Sequence, residues 1–265
     1  MARPRRDEEI DQLIQSIQVA GECGIANIEY NWYVDRLIEG YYEVEGRGGS
    51  GVTGFDYNKV KNLPAKPEIG MHSSEELWTN YTYFLKAIIP VAEKAGLRMS
   101  VHPNDPVSQQ SHGSDQILSN LAGLKRLITI VDSPSNGITF DCGVTKEMGE
   151  DPVEVCRYFA SRDRINHMHF RNVISYERYN QYIETFIDEG EVNMYAVMEE
   201  LMSHNYTRTL WAEHPHILDY DREYPGAQKR NGGPAGGGGG GGYAAECFNI
   251  GFARAMMFAV MSNRS

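Results

Sequence analysis

Arg164–His169 reads RINHMH, a short run carrying Ile165 and Met168 that ends in histidine, and three other stretches share its form. They are Leu97–His102 (LRMSVH), Gly137–Cys142 (GITFDC) and Thr209–His214 (TLWAEH). Each has the length of a strand, and each ends in a residue type that ligates metal ions. A helical pattern precedes most of them. Asp7–Ala20 carries Ile10, Leu13, Ile14 and Ile17 at helical spacing, and Ile25–Tyr30 follows as a strand. Ser73 and Glu76 form a capping box ahead of a helix to about Lys94, with Gly96 at its C-terminal stop. Ser114–Leu127 reads as a helix, and so does Asp151–Ser161, opened by Asp151–Pro152. Met194–His204 is amphipathic with Asn205 as its stop, and Tyr243–Met261 reads as a closing helix.

This helix–strand alternation, repeated about five times, predicts a parallel sheet covered by helices. The fold class is α/β, a TIM-type (β/α) barrel; a closed barrel takes eight strands and about five are read, so either further strands lie in 31–70 or the barrel is incomplete. The expected organisation is a single domain over residues 1–265. Residues 31–70 show no clear period and read as a loop or lid region. Residues 219–242, ending in Gly236–Gly242, read as a flexible glycine-rich insertion, since glycine loses the most backbone entropy on ordering.

In such folds the carboxyl ends of all parallel strands open onto one face. His102, Cys142, His169 and either Glu213 or His214 would then converge, and histidine, cysteine and carboxylate together suit a divalent transition metal. His167 shares a strand face with His169, whereas alternation puts Asp141 on the face opposite Cys142.

Composition narrows the partners. The 265 residues carry a net charge of -11, a poor match for nucleic acid. Cys23, Cys142, Cys156 and Cys247 are widely spaced without a C-x-x-C pair, so no disulfide framework is expected. MARPRRDEEIDQ has no apolar leader core, and the apolar stretch Ala255–Met261 is too short for a bilayer. These features predict a cytoplasmic protein with no membrane partner.

Several motifs together resemble the mannonate dehydratase family, sugar-acid lyases built on xylose-isomerase-like TIM barrels. They are HPNDP (His102–Pro106), TFDCG (Thr139–Gly143), HMHFRNV (His167–Val173), DEGEVNMYAVMEEL (Asp188–Leu201) and WAEHPH (Trp211–His216). GIANIEYNWYV (Gly24–Val34) and GGYAAECFNIGFARAM (Gly241–Met256) extend the resemblance toward both ends. It implies one divalent ion, manganese by default with iron or cobalt as alternatives, held by His102, Cys142, His169 and Glu213. It further implies His214 and Tyr243 as the acid/base pair and Arg171 and Asn172 beside a small sugar-acid substrate. The implied reaction converts D-mannonate to 2-dehydro-3-deoxy-D-gluconate with loss of water. Two other readings stand beside it: a related metal-dependent sugar isomerase or epimerase, and a shortened homologue that binds metal or a partner without turnover. A missing barrel section would expose apolar strand edges, so self-association into a homo-oligomer is expected.

Overall fold

The computed structural model describes residues 4–224 and 240–264. Its elements are α1 (Arg6–Glu22), β1 (Asn27–Asn31), β2 (Tyr41–Glu45), β3 (Gly51–Asp56), α2 (Ser74–Lys94), β4 (Arg98–His102), β5 (Gln110–Ser111) and β6 (Ser114–Asp115). Then come α3 (Leu121–Ile130), β7 (Asn136–Asp141), α4 (Cys142–Glu147), α5 (Pro152–Ala160), β8 (Ile165–His169), β9 (Asn172–Glu177) and β10 (Gln181–Thr185). The chain closes with α6 (Met194–Ser203), β11 (Leu210–Trp211), α7 (Asp219–Glu223) and α8 (Tyr243–Arg264). They divide into two compact units: residues 1–36, 62–140 and 161–167 form the first, and 37–61, 141–160 and 168–265 the second.

In the first unit the parallel order is β1–β4–β7–β8. Asn27 pairs with Arg98 and Asn31 with His102, while Met99 pairs with Asn136 and Val101 with Ile138. The Ile138 amide donates to the Arg164 carbonyl at 2.9 Å, which ties in the start of β8. Strands β7 and β8 are buried throughout, the mark of a parallel sheet covered on both faces. Ser73 caps α2 by accepting from the Glu76 amide at 3.3 Å. Leu77, Tyr81, Leu85, Ile88 and Ala92 recur along one side of that helix and are buried. Each large apolar side chain among them contributes roughly 1.5–3 kcal/mol by leaving water.

In the second unit the end of β8 pairs in parallel with β11, Met168 with Leu210 and His169 with Trp211. An antiparallel sheet lies in the same unit, ordered β2–β3–β10–β9. Phe55 of β3 is its hub: the rings of Tyr41 and Tyr182 sit 5.1 and 5.5 Å from it. The α/β class with TIM-type parallel strands is thus what the chain adopts. Five parallel strands occur among the described residues, β1, β4, β7, β8 and β11, where a closed barrel takes eight.

Several expectations need correction. Residues 31–70 are not a plain loop, because β2 and β3 pair from Tyr41–Phe55 to Glu45–Gly51. Glycines hide their period: at Gly54 a Cβ would meet the Tyr42 ring at 2.8 Å, so the strand goes without a side chain there. The helix expected from Ser114 starts only at Leu121. Ser114 and Ser111 instead pair across His112–Gly113, whose φ values of 48° and 77° suit a tight hairpin, and Asn120 caps the helix by accepting from the Gly123 amide. Strand β7 stops at Asp141, and Cys142 opens α4. Strand β11 is only Leu210–Trp211, so Glu213 and His214 lie beyond it. The glycine-rich insertion falls mainly on residues 225–239, outside those described, while 219–223 form α7. Helix α8 is longer than the apolar stretch read from the sequence. By length and composition it is the one helix among the described residues able to cross a bilayer.

Candidate active site

The second unit gathers a buried set of acids and imidazoles where β7, β8 and β11 end. Asp141 is both the last residue of β7 and the N-cap of α4. Its Oδ1 accepts from the Val144 amide at 2.8 Å, leaving Oδ2 to face Arg171 Nε at 2.9 Å. The other arm of that guanidinium, Nη1, donates to Glu147 Oε1 at 2.9 Å. Gly143 makes room for this side chain, since a Cβ there would lie 2.9 Å from Arg171 Cγ.

His169 ends β8. Its Nδ1 lies 2.9 Å from Glu213 Oε1, and the Trp211 ring meets it edge-on at 5.2 Å. Glu213 is held from behind, where Asn249 of α8 donates to its carbonyl at 2.9 Å. Arg171 Nε is 3.6 Å from the same Oε1 and His214 Nε2 is 3.5 Å from it. His214 Nδ1 sits 2.9 Å from Glu184 Oε1, an acid on β10 that is 1% exposed. Burial alone would push the Glu213 carboxyl up, but the fields of His214 and His169 more than offset it and hold the group below its ordinary range. Burial likewise pulls His214 down. The carboxylates of Glu184 and Glu213 outweigh that, and its pKa is pushed up to about 9.

Within the second unit, the structure brings the expected ligands His169 and Glu213 together and joins Asp141 to them. Ligand atoms of these three residues all lie within 4.8 Å of one another. Cys142 adjoins them in sequence, but its Sγ donates to the carbonyls of Arg171 (3.1 Å) and His169 (3.5 Å). Burial, with the Asp141 charge, pushes this thiol far up, so it is neutral there. His102 ends β4 in the first unit, with Nδ1 2.7 Å from the Pro103 carbonyl. His167, also of that unit, lies 3.6 Å from Glu29. Of the expected acid/base pair, His214 is in the cluster, while Tyr243 opens α8 and is 56% exposed. Arg171 is 2% exposed and bound to carboxylates. The Asn172 amide is engaged with backbone, donating to Ile187 and Val192 carbonyls and accepting from the Val192 amide.

Sequence reasoning missed Glu184, Glu147 and Asn249. Glu184 left one signal: in YIET it shares a strand face with Tyr182, and an acid on a core face calls for a partner.

The donor set suits a divalent ion. Asp141, His169 and Glu213 offer an imidazole and two carboxylates, hard and borderline ligands for manganese, iron or cobalt. Four buried carboxylates, Asp141, Glu147, Glu184 and Glu213, lie around the Arg171 guanidinium and the imidazoles of His169, His214 and His216, an acidic surplus that a dication would offset.

A buried acid–imidazole cluster at the ends of parallel β/α strands is a candidate metal site on a β/α-barrel type of scaffold. The family model described as D-mannonate dehydratase (UxuA) matches residues 1–231, and the chain belongs to that family. Mannonate dehydratase 2 of Halalkalibacterium halodurans is 29% identical over 258 residues, covering 85% of this chain and 72% of that protein. The mannonate dehydratase of Streptococcus equi subsp. zooepidemicus is 31% identical over 237 residues, 80% of this chain and 65% of its own. The chain therefore spans about two thirds to three quarters of the length of these relatives. The crystal structure of mannonate dehydratase from Streptococcus suis serotype 2 superposes with a TM-score of 0.82 at 26% identity, over 99% of this chain and 74% of that one. A D-tagatose 3-epimerase-like protein superposes at 0.56 with 14% identity, over 100% and 74%, a likeness of fold alone.

Proposed function

We propose that this chain is a hydro-lyase that removes water from D-mannonate to give 2-dehydro-3-deoxy-D-gluconate. The observation that carries this reading is the buried Asp141–His169–Glu213 donor set, with His214 beside it, in a chain of the UxuA family. The C2 proton and the C3 hydroxyl leave as one water, and the resulting enol becomes the 2-keto acid. A divalent ion bound here, manganese by default, supplies Lewis-acid polarisation of the substrate carboxylate and the hydroxyl beside it. His169 and Glu213 would hold it, with Asp141 as third donor; the family resemblance also implies His102 and Cys142 as ligands.

His214 moves a proton at Nε2, the ring atom turned from Glu184. Its raised pKa keeps it charged near neutral pH, the state of a general acid toward the departing C3 hydroxyl. Tyr243 is the partner on the C2 proton. Arg171 acts by holding Asp141 and Glu147 in place, and Asn172 by fixing the turn through Ile187 and Val192. The protein is taken to be cytoplasmic and to act on a small sugar acid. The exposed apolar residues of α8, Phe258 and Met261 among them, support the expected self-association.

The test is incubation of manganese-loaded protein with D-mannonate and mass analysis of the product. Loss of one water supports the reading. A product of unchanged mass would point to the isomerase or epimerase alternative, and no product across a panel of hexonates to a binding role.

A further inference from the structure

Glu184 is a buried acid on a strand whose neighbours build a core. It pairs across β10–β9 with Val173 and shares its face with Tyr182, which packs on Phe55. Its side chain is 1% exposed and meets His214 Nδ1 at 2.9 Å. His214 itself has φ of 53°, a left-handed backbone that a non-glycine residue holds only where its surroundings fix it. It also lies beyond the end of β11, where no strand pairing sets its direction. Two costs thus meet at one contact: a carboxylate out of water and a backbone out of its preferred region.

We propose that Glu184 is a positioning residue: its Oε1, 2.9 Å from His214 Nδ1, is the buried charge partner that holds the imidazole and directs Nε2 toward the reacting substrate. Glu184 does not touch substrate and exchanges no proton with it. The alternative orientation, with the ring flipped, would bury Nε2 against β10 and leave only Nδ1 for the chemistry, close to the left-handed backbone. The same logic explains why an acid occupies a position where alternation calls for an apolar residue: local rules are broken where orientation is needed.

This inference rests on the proposed dehydratase reading for its kinetic consequence, but its structural part can be read without turnover. The experiment compares wild type, Glu184→Leu, which removes the carboxylate, and Glu184→Gln, which keeps an oxygen at the same reach. In ion-free, histidine-15N-labelled protein, wild type is expected to show a downfield, solvent-protected Nδ1 proton for His214, assigned by its loss in His214→Asn. The resonance should vanish in Glu184→Leu and persist, shifted, in Glu184→Gln. With manganese and D-mannonate, Glu184→Leu should lose about a hundredfold or more in kcat. Its KM should stay within about threefold, with manganese content unchanged. Glu184→Gln should recover a substantial part of kcat. A wild-type spectrum without that proton overturns the inference, as does a folded, manganese-loaded Glu184→Leu with wild-type kcat. Should wild type turn over no hexonate, the dehydratase reading fails while the proton resonance still decides the role of Glu184. Should Glu184→Leu not fold, the Glu184→Gln spectrum decides: a His214 ring proton exposed to solvent there contradicts the proposal.

Discussion

Arg171 Nε and Asp141 Oδ2 lie 2.9 Å apart with both side chains buried, and the same guanidinium holds Glu147 through Nη1 at 2.9 Å. One cation thus offsets two buried carboxylates at the two ends of α4, one of them a proposed metal donor. Removing it leaves charge buried without compensation, which costs several kilocalories where replacing the whole set by apolar residues would not. Arg171→Met is expected to lower unfolding free energy by about 3–5 kcal/mol. Urea denaturation of the ion-free protein checks this, and an unchanged midpoint would mean the carboxylates are neutral or otherwise paired.

The antiparallel sheet carries its own core. Phe55 is fully buried between Tyr41 and Tyr182, and Phe55→Ala should cost about 3–5 kcal/mol through lost transfer energy and the cavity left behind. Because Tyr182 and Glu184 share β10, the variant should also loosen His214. A stability loss under about 1 kcal/mol would show that the site collapses around the gap.

Stability of the ion-free protein should depend on pH through His214. Its folded pKa, about 9, lies above the unfolded value of 6.5, so its contribution is full below about 6.5 and is lost as pH rises through about 9. Glu213 works in the other sense: held below its ordinary 4.5, it contributes above that value and loses its contribution as pH falls through the lower folded one. The stability gap between wild type and His214→Asn should therefore narrow between pH 6.5 and 9. A gap that stays constant across that window would remove the Glu184 and Glu213 fields from the account.

Metal binding should raise stability by mass action. At a free manganese concentration a hundred times Kd, the gain is about 2.7 kcal/mol, seen as a higher melting temperature that chelation reverses. His169→Ala and Glu213→Ala should each abolish most of that gain, while Asn120→Ala, which uncaps α3, should lower stability by about 1 kcal/mol and leave the gain intact.

The parallel strands were legible because each is a short apolar run after an amphipathic helix, and β1, β4, β7 and β8 fall within two residues of the expected bounds. The strands β2, β3, β9 and β10 were not. Glycines interrupt β3, polar residues such as Asn172, Ser175 and Glu184 interrupt β9 and β10, and the burial that sorts their two faces exists only once the sheet has formed. At the site, residue type and strand ends pointed to His169 and to Glu213 or His214, and the structure places these three side chains in one buried cluster, the last two beyond the end of β11. The place of Asp141 was not legible, because strict alternation assumed that β7 runs through residue 142. The chain turns into α4 there, with Asp141 as the cap, and that puts its carboxylate beside His169 and Glu213.

The most direct test of the central claim is elemental analysis of protein reloaded with manganese and desalted, wild type beside a His169→Ala, Glu213→Ala double variant. The account expects about one manganese per wild-type chain, in keeping with a single site, and none retained by the variant. A wild-type chain that retains no ion, or a folded variant that retains as much, would contradict it.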